Sequence, residues 1–133
     1  AARPLGVDLE CCRPGRDYRR LARSALTDTE QAAWRALPAD CQALAFCRFW
    51  SAKEAFLKAT GRGIALGLQR VEVAPDWRGY TRVPDLLGPA WGWQLVPRGR
   101  AAYCLSIASR GGPAVVRLLN AESVFNPCTE VIP

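Results

Sequence analysis

The chain has 133 residues, half of them hydrophobic and 23% charged, enough for one ordinary domain with a real core and too apolar for a disordered tail. It contains no histidine, which excludes Ser-His-Asp and Cys-His nucleophile systems, histidine zinc sites and imidazole acid–base chemistry. Eighteen basic against twelve acidic residues give +6, a sign that favours anionic partners such as phosphorylated cofactors, acidic proteins or nucleic acid. In chain order, Pro4 to Glu10 alternates apolar and polar residues as a short strand does. Arg13-Pro14-Gly15-Arg16 is a turn, and a helical stretch follows from about Asp17 to Ala25. Thr27 with Glu30 has capping-box spacing and starts a second helix that stops near Pro38. The longest helical pattern runs from about Pro38 to Thr60, where Gly61-Arg62-Gly63 ends it. Beyond Gly67 the period changes, and Leu68 to Ala74, Trp91 to Val96, Ala101 to Ala108 and Val115 to Leu119 are predicted strands. One strand, two or three helices and then antiparallel strands make an α+β layout.

No repeat or linker divides the chain, so residues 1–133 are expected to form one module. The six cysteines (Cys11, Cys12, Cys41, Cys47, Cys104, Cys128) show no CxxC pair and are expected to be reduced, mostly buried thiols of a cytoplasmic protein. No apolar run approaches the ~20 residues of a membrane helix, and the N-terminus lacks a signal-peptide core, so no membrane partner is expected.

The 38–60 helix holds the chemistry. At 100° per residue, Ala45, Phe49, Ala52, Phe56 and Ala59 fall on one stripe, the expected core face. Glu54 lies almost opposite, with Lys58 and Trp50 a turn away and Lys53 flanking. These are the only two lysines in a chain with sixteen arginines. Taken alone, Glu54 and Lys58 could be a solvated i,i+4 pair. Asp8 and Glu10, two apart on a strand, point to the same face. Like charges so held are costly without a cation or basic group between them, although an edge strand facing solvent would show the same pattern. Without histidine, two or three carboxylates form a hard-oxygen site suited to Mg²⁺.

Gly6-Val7-Asp8-Leu9-Glu10, followed by Trp50-Ser51-Ala52-Lys53-Glu54-Ala55-Phe56-Leu57-Lys58 and Gly61-Arg62-Gly63, resembles the 4′-phosphopantetheinyl transferases, specifically the C-terminal module of the larger, surfactin-synthetase-activating type. That family shows G-[IV]-D-[IVL]-E on a strand and W-[ST]-x-K-E-[AS]-x-x-K-x-x-G-x-G on a helix. The spacing of 46 residues from Asp8 to Glu54 also fits. Arg23 to Glu30 and Tyr103 to Ala108 resemble further family segments more weakly. The resemblance implies transfer of 4′-phosphopantetheine from coenzyme A to a serine of an apo acyl or peptidyl carrier protein. It implies Mg²⁺ held by Asp8, Glu10 and Glu54, and coenzyme A met by Lys53, Lys58, Gly61 and Gly63. Glu54 or Lys58 would be the catalytic base, and Trp50 would pack beside the site.

Arg13, Arg16, Arg19, Arg20 and Arg23 place five positive charges in eleven residues. They form a plausible dock for an acidic carrier protein, or a solvated helix face. Nucleic acid is not an expected partner, because aromatic-basic interleaving and recognition-helix signatures are missing. The larger transferases resemble two tandem modules with the cofactor between them, and this sequence covers the second. It is therefore expected to lack an N-terminal module, to assemble with itself, or to act as a non-catalytic coenzyme A-binding or carrier-docking half.

Overall fold

The computed structural model describes residues 3–100, 102–111 and 116–117. Among these, β1 (Leu5–Cys11) is followed by α1 (Tyr18–Ala25), α2 (Asp28–Arg35) and α3 (Ala39–Thr60), then by β2 (Glu72–Val73), β3 (Tyr80–Arg82), β4 (Trp93–Arg100) and β5 (Tyr103–Arg110). The α+β layout stands as expected. So do the local signals that build it. Thr27 and Glu30 exchange both hydrogen bonds of a capping box at the start of α2. Gly61 caps α3 at φ 69°, a conformation that favours glycine.

The late part of the chain differs from its sequence pattern. Leu68–Arg70 forms a 3-10 turn, so only Glu72–Val73 of the expected 68–74 strand is extended. Trp91 likewise lies in a 3-10 turn before β4. The strand Tyr80–Arg82, which pairs antiparallel with β2, was not anticipated, because three residues carry no measurable alternation. The strand expected at 115–119 lies largely outside the described residues.

Strands β1, β5 and β4 form an antiparallel sheet in that order, with Gly6 opposite Ala108, Asp8 opposite Ser106 and Glu10 opposite Cys104. One face of this sheet lies against α3; α1, α2 and the β2–β3 pair contact other sides of the helix. Because α3 is covered on several sides, the single apolar stripe expected for it is a correction. Phe46, Cys47, Ser51, Lys53, Ala55 and Leu57 are buried together with Phe49, Ala52 and Phe56, whereas Ala45 and Ala59 are only partly covered.

Two packing features hold β1 on α3. A Cβ at Gly6 would lie 1.9 Å from the Ala55 carbonyl oxygen and 2.4 Å from the Ala59 nitrogen, so only glycine permits this approach. The Ser51 hydroxyl donates to the carbonyls of Asp8 (3.2 Å) and Cys104 (3.4 Å), tying the helix to both strands. On the other side, the fully buried Phe56 ring lies 4.9 Å from Tyr80 and 4.5 Å from Trp93. Truncating it leaves a cavity between three elements. Phe56→Ala is therefore expected to cost about 3–5 kcal/mol in chemical denaturation, and an unchanged midpoint would show that the ring is not packed this way.

Candidate active site

Alternation along β1 turns Gly6, Asp8 and Glu10 toward α3 and leaves Leu5, Val7 and Leu9 outside. Asp8 is 7% exposed. The Lys58 ammonium, reaching back from the last turn of α3, donates to Asp8 Oδ1 at 2.7 Å. Glu54 lies one helical turn before Lys58, within electrostatic range of Asp8 and Glu10. The strand and the helix thus bring Asp8, Glu54 and Lys58 together, from motifs 46 residues apart.

This cluster is short of positive charge. Asp8 Oδ2 and Glu54 Oε1 are both buried and have no hydrogen-bond partner among the described residues. Leaving buried carboxylate oxygens unpaired costs free energy, and a cation between them would remove that cost. Burial first, and the Asp8 charge second, push the Glu54 carboxyl above its usual range, with Lys58 opposing. Lys58 moves the opposite way from a buried lysine. Its hydrogen bond to Asp8 holds the ammonium form and raises its pKa above that of a free side chain.

Glu10 faces the same way but is engaged elsewhere, with its Oε2 3.7 Å from Arg16 Nη1. Among the described residues, no three histidine, cysteine, aspartate or glutamate side chains are gathered as a metal-ligand set. The carboxylates on one strand face are not left to repel each other; Lys58 takes one and Arg16 the other.

Lys53 is a correction. The family resemblance implies a phosphate contact for this neighbour of Glu54, but its side chain is 0% exposed and turned to the other side of α3. Its ammonium has three donors and meets three acceptors: Glu30 Oε2, the Ala25 carbonyl at 2.8 Å and the Leu68 carbonyl at 3.1 Å. Burial lowers its pKa and Glu30 opposes that shift. Glu30 also accepts from the backbone N–H of Thr27 and Val73, while the Thr27 hydroxyl donates to Glu72. The residue next to Glu54 therefore ties α1, α2 and β2 to α3, and its ammonium is closed off from solvent. Its only sequence signal was Glu30, which reads as a cap alone.

Trp50 is partly buried, its rings 5.9 Å from Phe46, one turn earlier in α3. Gly61 and Gly63 both have positive φ and open space around them, forming the turn just beyond Lys58. Arg13, Arg19, Arg20 and Arg23 are exposed. Arg19 and Arg23 share a groove with Trp34, Arg35 and Gln42. Burial pushes the Cys47 thiol up to about 12 and the Cys104 thiol up to about 11, which fits a structural role. Among the described residues, no helix is long and apolar enough to cross a membrane.

The family model for the 4′-phosphopantetheinyl transferase superfamily matches residues 4–108. The chain is 36% identical over 110 residues to 4′-phosphopantetheinyl transferase HetI of Nostoc sp., covering 82% of this chain and 45% of that protein. It is 29% identical to 4′-phosphopantetheinyl transferase psf-1 of Bacillus pumilus, over 96% of this chain and 55% of that protein. The chain thus spans about half the length of these relatives. Among solved structures, a Bacillus anthracis holo-(acyl-carrier-protein) synthase in complex with CoA (3′,5′-ADP) superposes with a TM-score of 0.66 at 19% identity, over 84% of this chain and all of that one. The Helicobacter pylori holo-[acyl-carrier-protein] synthase in complex with coenzyme A gives 0.63 at 13%, over 80% of this chain and 99% of that one. At these identities the structural matches establish the fold.

Proposed function

Because this chain belongs to the 4′-phosphopantetheinyl transferase superfamily, we propose that it transfers 4′-phosphopantetheine from coenzyme A to a serine hydroxyl of an apo acyl or peptidyl carrier protein. The observation that carries the reading is the meeting of Asp8, Glu54 and Lys58, with one buried oxygen of each carboxylate unpartnered. All-oxygen donors of this kind fit Mg²⁺, held by Asp8 and Glu54 with Glu10 in reach along the same strand face. When bound, the ion would neutralise pyrophosphate charge and steady the leaving phosphate.

The chain's own residues account for the rest. Glu54 accepts the serine proton as the serine oxygen forms its bond to the pantetheine-side phosphorus. The bond from that phosphorus to 3′,5′-ADP breaks, and the electron pair leaves with the nucleotide. Between the two candidate bases, the Asp8 hydrogen bond favours Glu54, because it keeps Lys58 protonated. Lys58, half-exposed, offers its remaining N–H donors to phosphate oxygens as charge develops. The open turn at Gly61 and Gly63 lets the cofactor backbone pass close to the helix end. Arg13, Arg19, Arg20 and Arg23, with Arg16, form a basic surface suited to an acidic carrier protein.

Residues 1–133 are proposed as one module of a larger two-module enzyme of the surfactin-synthetase-activating type. Its span of about half its relatives supports this, and so does the outer face of the sheet, where Leu5 and Leu9 are 60% and 62% exposed beside Val7 and Tyr103. A second module, or a second copy, would cover that face. A cytoplasmic location belongs to the same proposal: the cysteines of the described residues are unpaired thiols.

The test is the intact mass of an apo carrier protein after incubation with this chain, coenzyme A and Mg²⁺. A phosphopantetheine mass gain that EDTA abolishes is expected. The half-length span also favours a second reading, a half-module that binds coenzyme A without turning it over. That reading predicts binding without a mass gain until the other module is supplied. Neither binding nor gain, with or without the other module, would overturn both.

A further inference from the structure

The turn after β1 is anchored at both ends. The Arg13 backbone N–H donates to the Tyr18 hydroxyl at 2.9 Å, and that hydroxyl donates back to the Arg13 carbonyl at 2.9 Å. The Tyr18 ring is fixed in turn against Phe46, 5.5 Å away, and Asp17 caps α1 through the Arg20 backbone N–H. Between these anchors Gly15 bends the chain at φ 78°, and Arg16 reaches Glu10. Glu10 is the one carboxylate of the β1 inner face that a basic group outside the Asp8–Glu54–Lys58 cluster has claimed. It still lies within electrostatic range of Glu54 and Lys58. A carboxylate so placed has two competing claimants, a guanidinium on the turn and whatever positive charge enters beside the unpartnered oxygens of Asp8 and Glu54.

We propose that Arg16 is a latch on Glu10: it holds this carboxylate away from the cation site, and gives it up when a divalent cation binds beside Asp8 and Glu54. The proposal rests on the cation-site reading above. By linkage, a cation that takes Glu10 frees a guanidinium at the start of the basic α1 surface, and an acidic partner that engages Arg16 frees Glu10 for the cation. Each event then favours the other, so cation and acidic partner bind with positive cooperativity. The Glu10–Arg16 pair is partly solvated, and pairs of this kind support a coupling of about two- to fivefold in affinity.

The experiment titrates the chain with Mn²⁺ and follows the loss of the free-ion paramagnetic resonance, a readout independent of turnover. Arg16→Gln is compared with Arg13→Gln, which removes the same charge from the same turn. Arg16→Gln is expected to bind Mn²⁺ about two- to fivefold more tightly than Arg13→Gln, and the difference is expected to vanish when each is combined with Glu10→Gln. Equal affinities for the two variants, or a difference that persists without the Glu10 carboxylate, would overturn the latch while leaving the cation site standing. If Mn²⁺ binds none of the chains, the parent included, the cation-site reading itself fails and the latch with it.

Discussion

Glu54→Gln is expected to slow transfer by about 10²- to 10⁴-fold while leaving a folded chain that is more stable than its parent at pH 8 in EDTA. The glutamine keeps the shape of the side chain and removes its charge. That charge is what the fold resists, since burial and the neighbouring Asp8 both push the Glu54 carboxyl above its usual pKa. A carboxyl raised on folding contributes stability in its protonated form, present below the unfolded pKa and lost as pH rises through the folded one. The parent thus bears a penalty at pH 8 that the variant escapes, and the gain should shrink as pH falls into the carboxylate range, where both side chains are neutral. Carrier mass gain measures the first effect, and melts at pH 8 and pH 4 measure the second. A variant that turns over at the parental rate would remove Glu54 from the chemistry. One that melts lower at pH 8 would mean that the carboxylate is satisfied after all.

Lys53→Met is expected to destabilise the chain by about 3–5 kcal/mol, enough to unfold much of it in mild denaturant. Methionine fills a similar volume, so the loss is electrostatic. The Glu30 carboxylate would stay buried without its counter-charge, and the Ala25 and Leu68 carbonyls would lose a donor. A residue whose role was to meet phosphate would behave in the opposite way, keeping its melting temperature and losing affinity for coenzyme A. Lys58→Met, half-exposed on the other side of the helix and paired with Asp8, is the companion expected to lose affinity for coenzyme A with the smaller loss of stability, because solvent reaches the ion pair it breaks. If the two variants exchanged behaviour, the assignment of the lysines would be reversed.

Asp8, Glu54 and Lys58 stood out as one site through the resemblance to the family motifs, and local rules supplied only part of the geometry. Strand alternation aimed Asp8 at a face, and helical spacing stacked Glu54 and Lys58. The capping box and Gly61 set the helix boundaries by rules of the same local kind. Lys53 was misplaced because a helical wheel assigns one face to the core, whereas α3 is covered from several directions. Its counter-charge comes from a cap residue 23 positions earlier, and no periodicity links the two. Arg16 was legible only as one charge in a basic run; its pairing with Glu10 depends on a turn anchored by Tyr18. Gly6 stood in a motif, but the contact that requires it is with the Ala55 and Ala59 backbone, a consequence of tertiary packing alone.

The arginine-rich surface has a practical side. Apart from any terminal amine, a chain with two lysines offers two primary amines, and one of them is sealed in the core. Lys58 is then the single side-chain amine that solvent reaches, and it stands in the candidate site. Guanidinium groups do not react with amine-directed acylating reagents under conditions that acylate lysine. Within these 133 residues, side-chain acylation is therefore confined to one amine in the candidate site, and the Asp8 hydrogen bond that holds it protonated slows the reaction there.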